Sequence, residues 1–156
     1  MTQEEKQLLI KDLCARLPYG IMVSVQGGEF DSYKYPYILT AVSKCGLDSF
    51  CRVYHAVYTP FGVPNVEDVK PYLRPISSMT DKEIEFMDDI GFRVYKKTND
   101  FDNVCDVSDD GWDKNYVDKQ SFEDVIDFFC SHHLDYRNLI EKGLALEAPE
   151  GMYKIK

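Results

Sequence analysis

Long apolar runs are missing from this sequence. No stretch approaches the roughly 20 apolar residues that a membrane-spanning helix needs, so no membrane partner is expected. Residues 1–17 place Glu4 and Glu5 early and lack the basic, apolar, small-residue order of an export signal. Cysteine is scarce: Cys14, Cys45, Cys51, Cys105 and Cys130 form an odd set of five with no C-x-x-C pair. Such a set, without an export signal, predicts reduced thiols in a cytoplasmic protein rather than a disulfide framework. Repeats and low-complexity linkers are absent too, so no composition break divides the chain. One domain over residues 1–156 is therefore expected, and that length can bury a core.

What is present is a globular composition, 44% apolar with 13% aromatic, too apolar for a disordered chain. The net charge of −9 is unevenly placed. Residues 1–75 hold eight acids and eight bases, whereas residues 76–156 hold nineteen acids against ten bases. A phosphate backbone would be repelled by that second half, so no nucleic-acid partner is expected. An acidic surface serves solubility at the least, and it also suits a protein partner with a basic surface.

Periodicity predicts an amphipathic helix over 2–17. Thr2 and Glu5 make a capping box, Leu9, Leu13 and Leu17 recur at spacing four beside Ile10 and Cys14, and Pro18 ends it. Short β-rich runs follow at 20–25, 37–42 and 50–58, with Gly turns between them and Tyr33, Tyr35 and Tyr37 alternating around Pro36. These connections are too short for parallel crossovers and predict an antiparallel meander. Residues 59–79 are marked by prolines and read as a surface crossing with Val66, Val69 and Leu73 dipping inward. Thr80 and Glu83 open a second helix whose Ile84, Met87 and Ile90 face inward and which Gly91 closes. A short strand at 92–95 leads into a polar loop, 96–120, anchored by Trp112 and Tyr116. The last 36 residues, 121–156, predict two short capped helices joined by a polar corner, His132-His133-Leu134-Asp135-Tyr136-Arg137.

Three patterns invite chemistry and fall short of it. Asp106, Ser108, Asp110 and Gly111 open like a calcium loop, but Lys114 and Val117 stand where oxygen ligands belong, so a solvated turn is expected. Cys130, His132 and His133 offer zinc donors without the second pair that a structural site needs. The expected metal and cofactor content is none, with the histidines instead capping the end of a helix. Asp135 is expected to N-cap the final helix, and orienting a histidine as general base is the sharper alternative. The seven aspartates of 96–120 resemble a phosphate row only modestly, with four lysines among them.

Lys11–Gly20 (KDLCARLPYG), Val66–Thr80 (VEDVKPYLRPISSMT) and Ser131–Lys154 (SHHLDYRNLIEKGLALEAPEGMYK) cover about a third of the chain. Together they resemble a family of small proteins from anaerobic gut bacteria and their phages or mobile elements. The chain departs from a shorter family layout in its middle strands and in the 96–120 loop. The resemblance implies a compact accessory protein of a prokaryotic cytoplasm and no activity, so it supplies no catalytic residue. Tyr19, Tyr72, Arg74, His133, Asp135, Tyr136 and Arg137 match it, as a shared surface or a shared brace.

The expected architecture is a single α+β domain. An antiparallel sheet of about four strands is covered by the N-terminal helix and the C-terminal helices. The expected function is protein binding, with Tyr72, Arg74, His132, His133, Asp135, Tyr136 and Arg137 as candidate surface. The alternative is a small hydrolase or metal-dependent enzyme using His132, His133 and Asp135.

Overall fold

The computed structural model describes residues 1–26, 36–45, 50–55, 64–89, 94–99, 102–107 and 119–153. In chain order the elements are α1 (Gln3–Arg16), β1 (Met22–Val25), β2 (Tyr37–Cys45), β3 (Phe50–His55), β4 (Val69–Leu73), α2 (Asp81–Asp89), β5 (Val94–Asn99), β6 (Asp102–Val107), α3 (Lys119–Ser131) and β7 (Leu146–Glu147). The fold is α+β. The chain groups into two compact units. One is Met1–Leu73 with Arg137–Lys156, and the other is Arg74–Tyr136.

In the first unit α1 begins as its capping box dictates. The Thr2 hydroxyl accepts from the Glu5 amide at 3.2 Å, and the Thr2 amide donates to Glu5 Oε2 at 2.6 Å. Pro18 does not end the helix by expelling its predecessor, since Leu17 keeps helical angles of −52° and −44°. The proline instead enters a 3-10 turn, Leu17–Tyr19, which Gly20 closes with a left-handed φ of 69°. Leu9 and Leu13 are buried as the spacing predicts, but Cys14 is exposed, and the charged Asp12 and Arg16 take its expected place inside.

The sheet has five strands in the order β3-β2-β1-β4-β7. β1 pairs antiparallel with β2 and with β4, β2 pairs antiparallel with β3, and β4 runs parallel to β7. The predicted four-strand meander is therefore corrected to a mixed sheet, in which only β1, β2 and β3 keep meander order. β4 is the segment that its prolines mark as a surface crossing. Pro71 is tolerated inside it for a geometric reason. The Gln26 amide donates to the Asp68 carbonyl at 2.7 Å, and antiparallel pairs alternate between bonded and non-bonded. Val23 and Pro71 thus form a non-bonded pair, with the proline nitrogen turned away from β1, on the side where β7 pairs only from Tyr72 onward.

The next bonded pair would be Met22 with Tyr72, and a side chain intervenes there. The Met22 amide donates to the Tyr153 hydroxyl at 3.1 Å, which donates to the Tyr72 carbonyl at 2.8 Å. A phenol thus relays the ladder bond where β4 leaves β1 for β7. Leu9 and Leu13 pack with Val23, Leu39, Val69 and Leu73 of the sheet, and with Leu139 and Leu144 of the returning chain.

The second unit has its own core of Met79, Met87, Val125, Phe128, Phe129 and Leu134. Val125, Phe128 and Phe129 are the buried apolar residues of α3 that belong to this cluster. Part of the predicted 96–120 loop is a hairpin, with β5 and β6 paired antiparallel from Val94↔Val107 to Asn99↔Asp102. Asp106 lies in β6 opposite Tyr95. The rest of the calcium-like loop, Trp112 and Tyr116, the turn at Gly27-Gly28 and the ends at Ile90 and Gly91 lie outside the described residues. The final helix is corrected to a series of turns: Asn138 has a left-handed φ of 55° and Gly143 one of 70°, so neither can sit within a right-handed helix. Asp135 consequently has no helix to cap.

Candidate functional site

The end of α3 explains both histidines. The Leu134 amide donates to the Phe129 carbonyl at 2.9 Å, and the His133 amide donates to the Cys130 carbonyl at 3.2 Å. These are the two bonds of a Schellman closure, with His133 at the left-handed position that glycine usually fills. Its φ is 56°, and its side chain is buried. His132 lies one residue earlier. Its Nδ1 is 3.0 Å from the Phe128 carbonyl and 3.2 Å from the Ser131 hydroxyl. The expected capping thus holds for the His132 ring, which faces an orphan carbonyl, whereas His133 closes the helix through its main chain.

Beyond the closure the chain binds to Arg74 through its backbone. The Arg74 amide donates to the His133 carbonyl and the Asp135 amide donates to the Arg74 carbonyl, both at 2.8 Å, a one-residue parallel bridge centred on Leu134. The Arg74 guanidinium then adds Glu83 and Ser78 and a further carbonyl of the corner itself. Nη1 donates to Glu83 Oε1 at 2.8 Å and to the His132 carbonyl at 3.3 Å; Nη2 donates to Glu83 Oε2 at 3.1 Å and to the Ser78 carbonyl at 2.9 Å. Glu83 is 4% exposed and sits in the first turn of α2. It also accepts from the Thr80 amide at 2.7 Å and hydroxyl at 2.9 Å, which makes it a capping-box residue and an ion-pair partner at once. A cation at the C-terminus of α3 and an anion at the N-terminus of α2 each complement a helix dipole. Burial pushes the Glu83 carboxyl up, but the Arg74 and Thr80 hydrogen bonds and the Arg74 charge outweigh it and hold it below its ordinary value.

The remaining candidates divide between the two units. In the second unit Tyr136 stacks on Phe129 with ring centroids 5.3 Å apart, and its hydroxyl is 3.8 Å from Cys130 Sγ. In the first unit Tyr72 offers its carbonyl to Tyr153, and its side chain is half-buried. Arg137, also in the first unit, meets Asp12 Oδ1 through Nε at 3.3 Å, while Arg16 Nε donates to Asp12 Oδ2 at 2.8 Å. The structure thus brings Arg74, His132, His133 and Asp135 together chiefly through main-chain groups, and it engages Tyr72 and Arg137 elsewhere. Asp109, Asp110 and Asp113 of the acidic loop lie outside the described residues.

Several participants are not evident from pattern alone. Asp12 and Arg16 stand at i and i+4 and at helical spacings from Leu9 and Leu13, a charged pair on an apolar stripe, which is the available signal. Glu83 is legible as a cap but not as the partner of Arg74, and Tyr153 carries no local signal of its relay. Burial raises the Tyr153 hydroxyl to about 12, against lowering by its bond from Met22 and by the Arg16 charge.

Outside this network, α2 presents an aromatic side chain to solvent. Phe86, 45% exposed, stacks on Phe128 at 4.9 Å with 17° between the rings, and His132 stacks on Phe128 at 4.1 Å and 28°. Asp81, Glu85, Asp88 and Asp89 of α2 are exposed around the same helix, as are Glu123, Asp124 and Asp127 of α3. Among the described residues no group of three or more His, Cys, Asp and Glu is placed to hold a metal ion, and no helix is long and apolar enough to cross a membrane. Comparison of the chain with protein-family models, curated proteins and solved structures finds no match.

Proposed function

We propose that this protein is a protein-binding accessory factor, of the kind carried by phages or mobile elements, and that it acts in a prokaryotic cytoplasm on a partner with a basic surface. One observation carries the reading. In the Arg74–Tyr136 unit Arg74 and Glu83 hold the backbone together, whereas the exposed positions of α2 and α3 are mostly acids, with Lys82 and the open rings of Phe86 and Phe122 among them. Acidic fields of this sort steer encounter and are screened by salt.

A hydrolytic or metal-dependent role for His132, His133 and Asp135 draws on a narrower feature. A proton on Nδ1 of His132, donated to the Phe128 carbonyl, would leave Nε2 as the basic nitrogen of the neutral ring. His133, by contrast, enters the helix closure through its main chain, and its side chain is buried.

Affinity capture with the full chain from an extract of the native host, followed by association kinetics at low and physiological salt, tests the proposal. The expected partner has a basic surface, and its association slows as salt rises. Association indifferent to salt, or tight binding of duplex DNA at physiological salt, would contradict it.

A further inference from the structure

Phe86 is an aromatic ring held in place and left half open. Its stacking on the buried Phe128 fixes the ring, and 45% of the residue still meets solvent. A lone exposed aromatic on a surface needs no explanation. This one differs in its electrostatic setting. Glu85 precedes it, Asp89 lies three residues on and so beside it on the helix surface, and Asp124 lies one turn before Phe128 on α3. All three acids are exposed, and Lys82, one turn before Phe86, is the single base of α2.

A ring face is negative at its centre, so it attracts a cation, and adjoining carboxylates add to that field. Of the two cationic side chains, arginine fits better. Its guanidinium is planar and weakly hydrated, so it can stack on the ring while its outer N–H groups reach a carboxylate in a fork. The ammonium of lysine is compact and strongly hydrated and gains less from an open ring face.

Building on the protein-binding reading, we propose that the open face of Phe86, with Glu85, Asp89 and Asp124, is a docking position for an arginine side chain on a basic segment of a protein partner. The charge of both helices argues for this occupant, since acids outnumber the single exposed base, Lys82, at their described exposed positions.

Fluorescence anisotropy with labelled oligoarginine and oligolysine peptides of equal length tests the proposal on the full chain. Oligoarginine should bind more tightly than oligolysine. Phe86→Leu keeps apolar bulk against Phe128 and removes the ring, so it should weaken oligoarginine by about fivefold and leave oligolysine nearly unchanged. The double change Glu85→Gln with Asp89→Asn, at exposed positions that leave the core intact, should weaken both peptides. It keeps the test decisive if the Phe86 variant melts early. Equal affinities for the two peptides, no binding of oligoarginine, or indifference to both variants would overturn the docking position. A captured natural partner unaffected by Phe86→Leu would also overturn it while leaving the protein-binding reading in place.

Discussion

Replacing Tyr153 by Phe removes one oxygen and breaks two contacts at once. The Met22 amide loses its acceptor and the Tyr72 carbonyl loses its donor, at a point where the remaining ring still keeps β1 and β4 from bonding directly. A buried main-chain group left unsatisfied costs roughly 1–3 kcal/mol. Partial access of water to the site argues for the lower part of that range for each group, hence about 2 kcal/mol in all. For a chain of this length that lowers Tm by roughly 4–8 °C, measurable by circular dichroism with a urea titration at constant slope. The pH dependence supplies an independent check. The folded hydroxyl titrates at about 12 against 10.0 for a free tyrosine. Between these values the unfolded chain loses a proton that the folded chain keeps, so alkali favours unfolding. The Tyr153 contribution is thus complete below pH 10 and is lost as pH rises through 12, and the parent's advantage over the variant should shrink across that window. A variant within about 0.5 kcal/mol of the parent at neutral pH would refute the relay, because substitutions that disturb no structural feature fall in that range.

Other substitutions probe the remaining braces. His133→Gly should be less destabilising than His133→Ala by about 1 kcal/mol in chemical denaturation, since glycine accepts the left-handed φ and alanine does not. Asp12→Asn should cost about 3 kcal/mol or more by the same measurement, because it leaves the buried Arg16 and the partly buried Arg137 without their shared carboxylate. Acid titration of the parent should show a stability loss as pH falls from the ordinary carboxyl value of 4.5 through the lower value of folded Glu83, and Glu83→Gln should lack that component.

Local rules written in a few adjacent residues were legible. Both capping boxes, Thr2 with Glu5 and Thr80 with Glu83, form as their spacing predicts, and Leu9, Leu13 and Met87 are buried on the faces that periodicity assigns. Long-range pairing was not legible. The prolines of 59–79 argue against a strand, yet Pro71 fits in β4 because register turns its nitrogen away from β1, and register depends on residues far along the chain. The expected final helix fails at Asn138, whose left-handed backbone is one that asparagine adopts more readily than most residues but that helical periodicity does not reveal. The polar corner was visible as a cluster, with its histidines at a helix end, but the backbone bridge and the ion pair were not. Arg74 and Glu83 are nine residues apart, and the His132 carbonyl that Arg74 also reaches is fifty-eight residues away.

The central claim is that Arg74 and Glu83 brace the corner, and a double-mutant cycle tests it most directly. Unfolding free energies would be measured for Arg74→Met, Glu83→Met and the pair. A single change strands a buried charge and should cost about 3–5 kcal/mol. The double variant strands none, so it should cost less than the sum of the singles by 1 kcal/mol or more. Singles that each cost under about 0.5 kcal/mol and add without coupling would contradict the brace and leave both side chains available for another role.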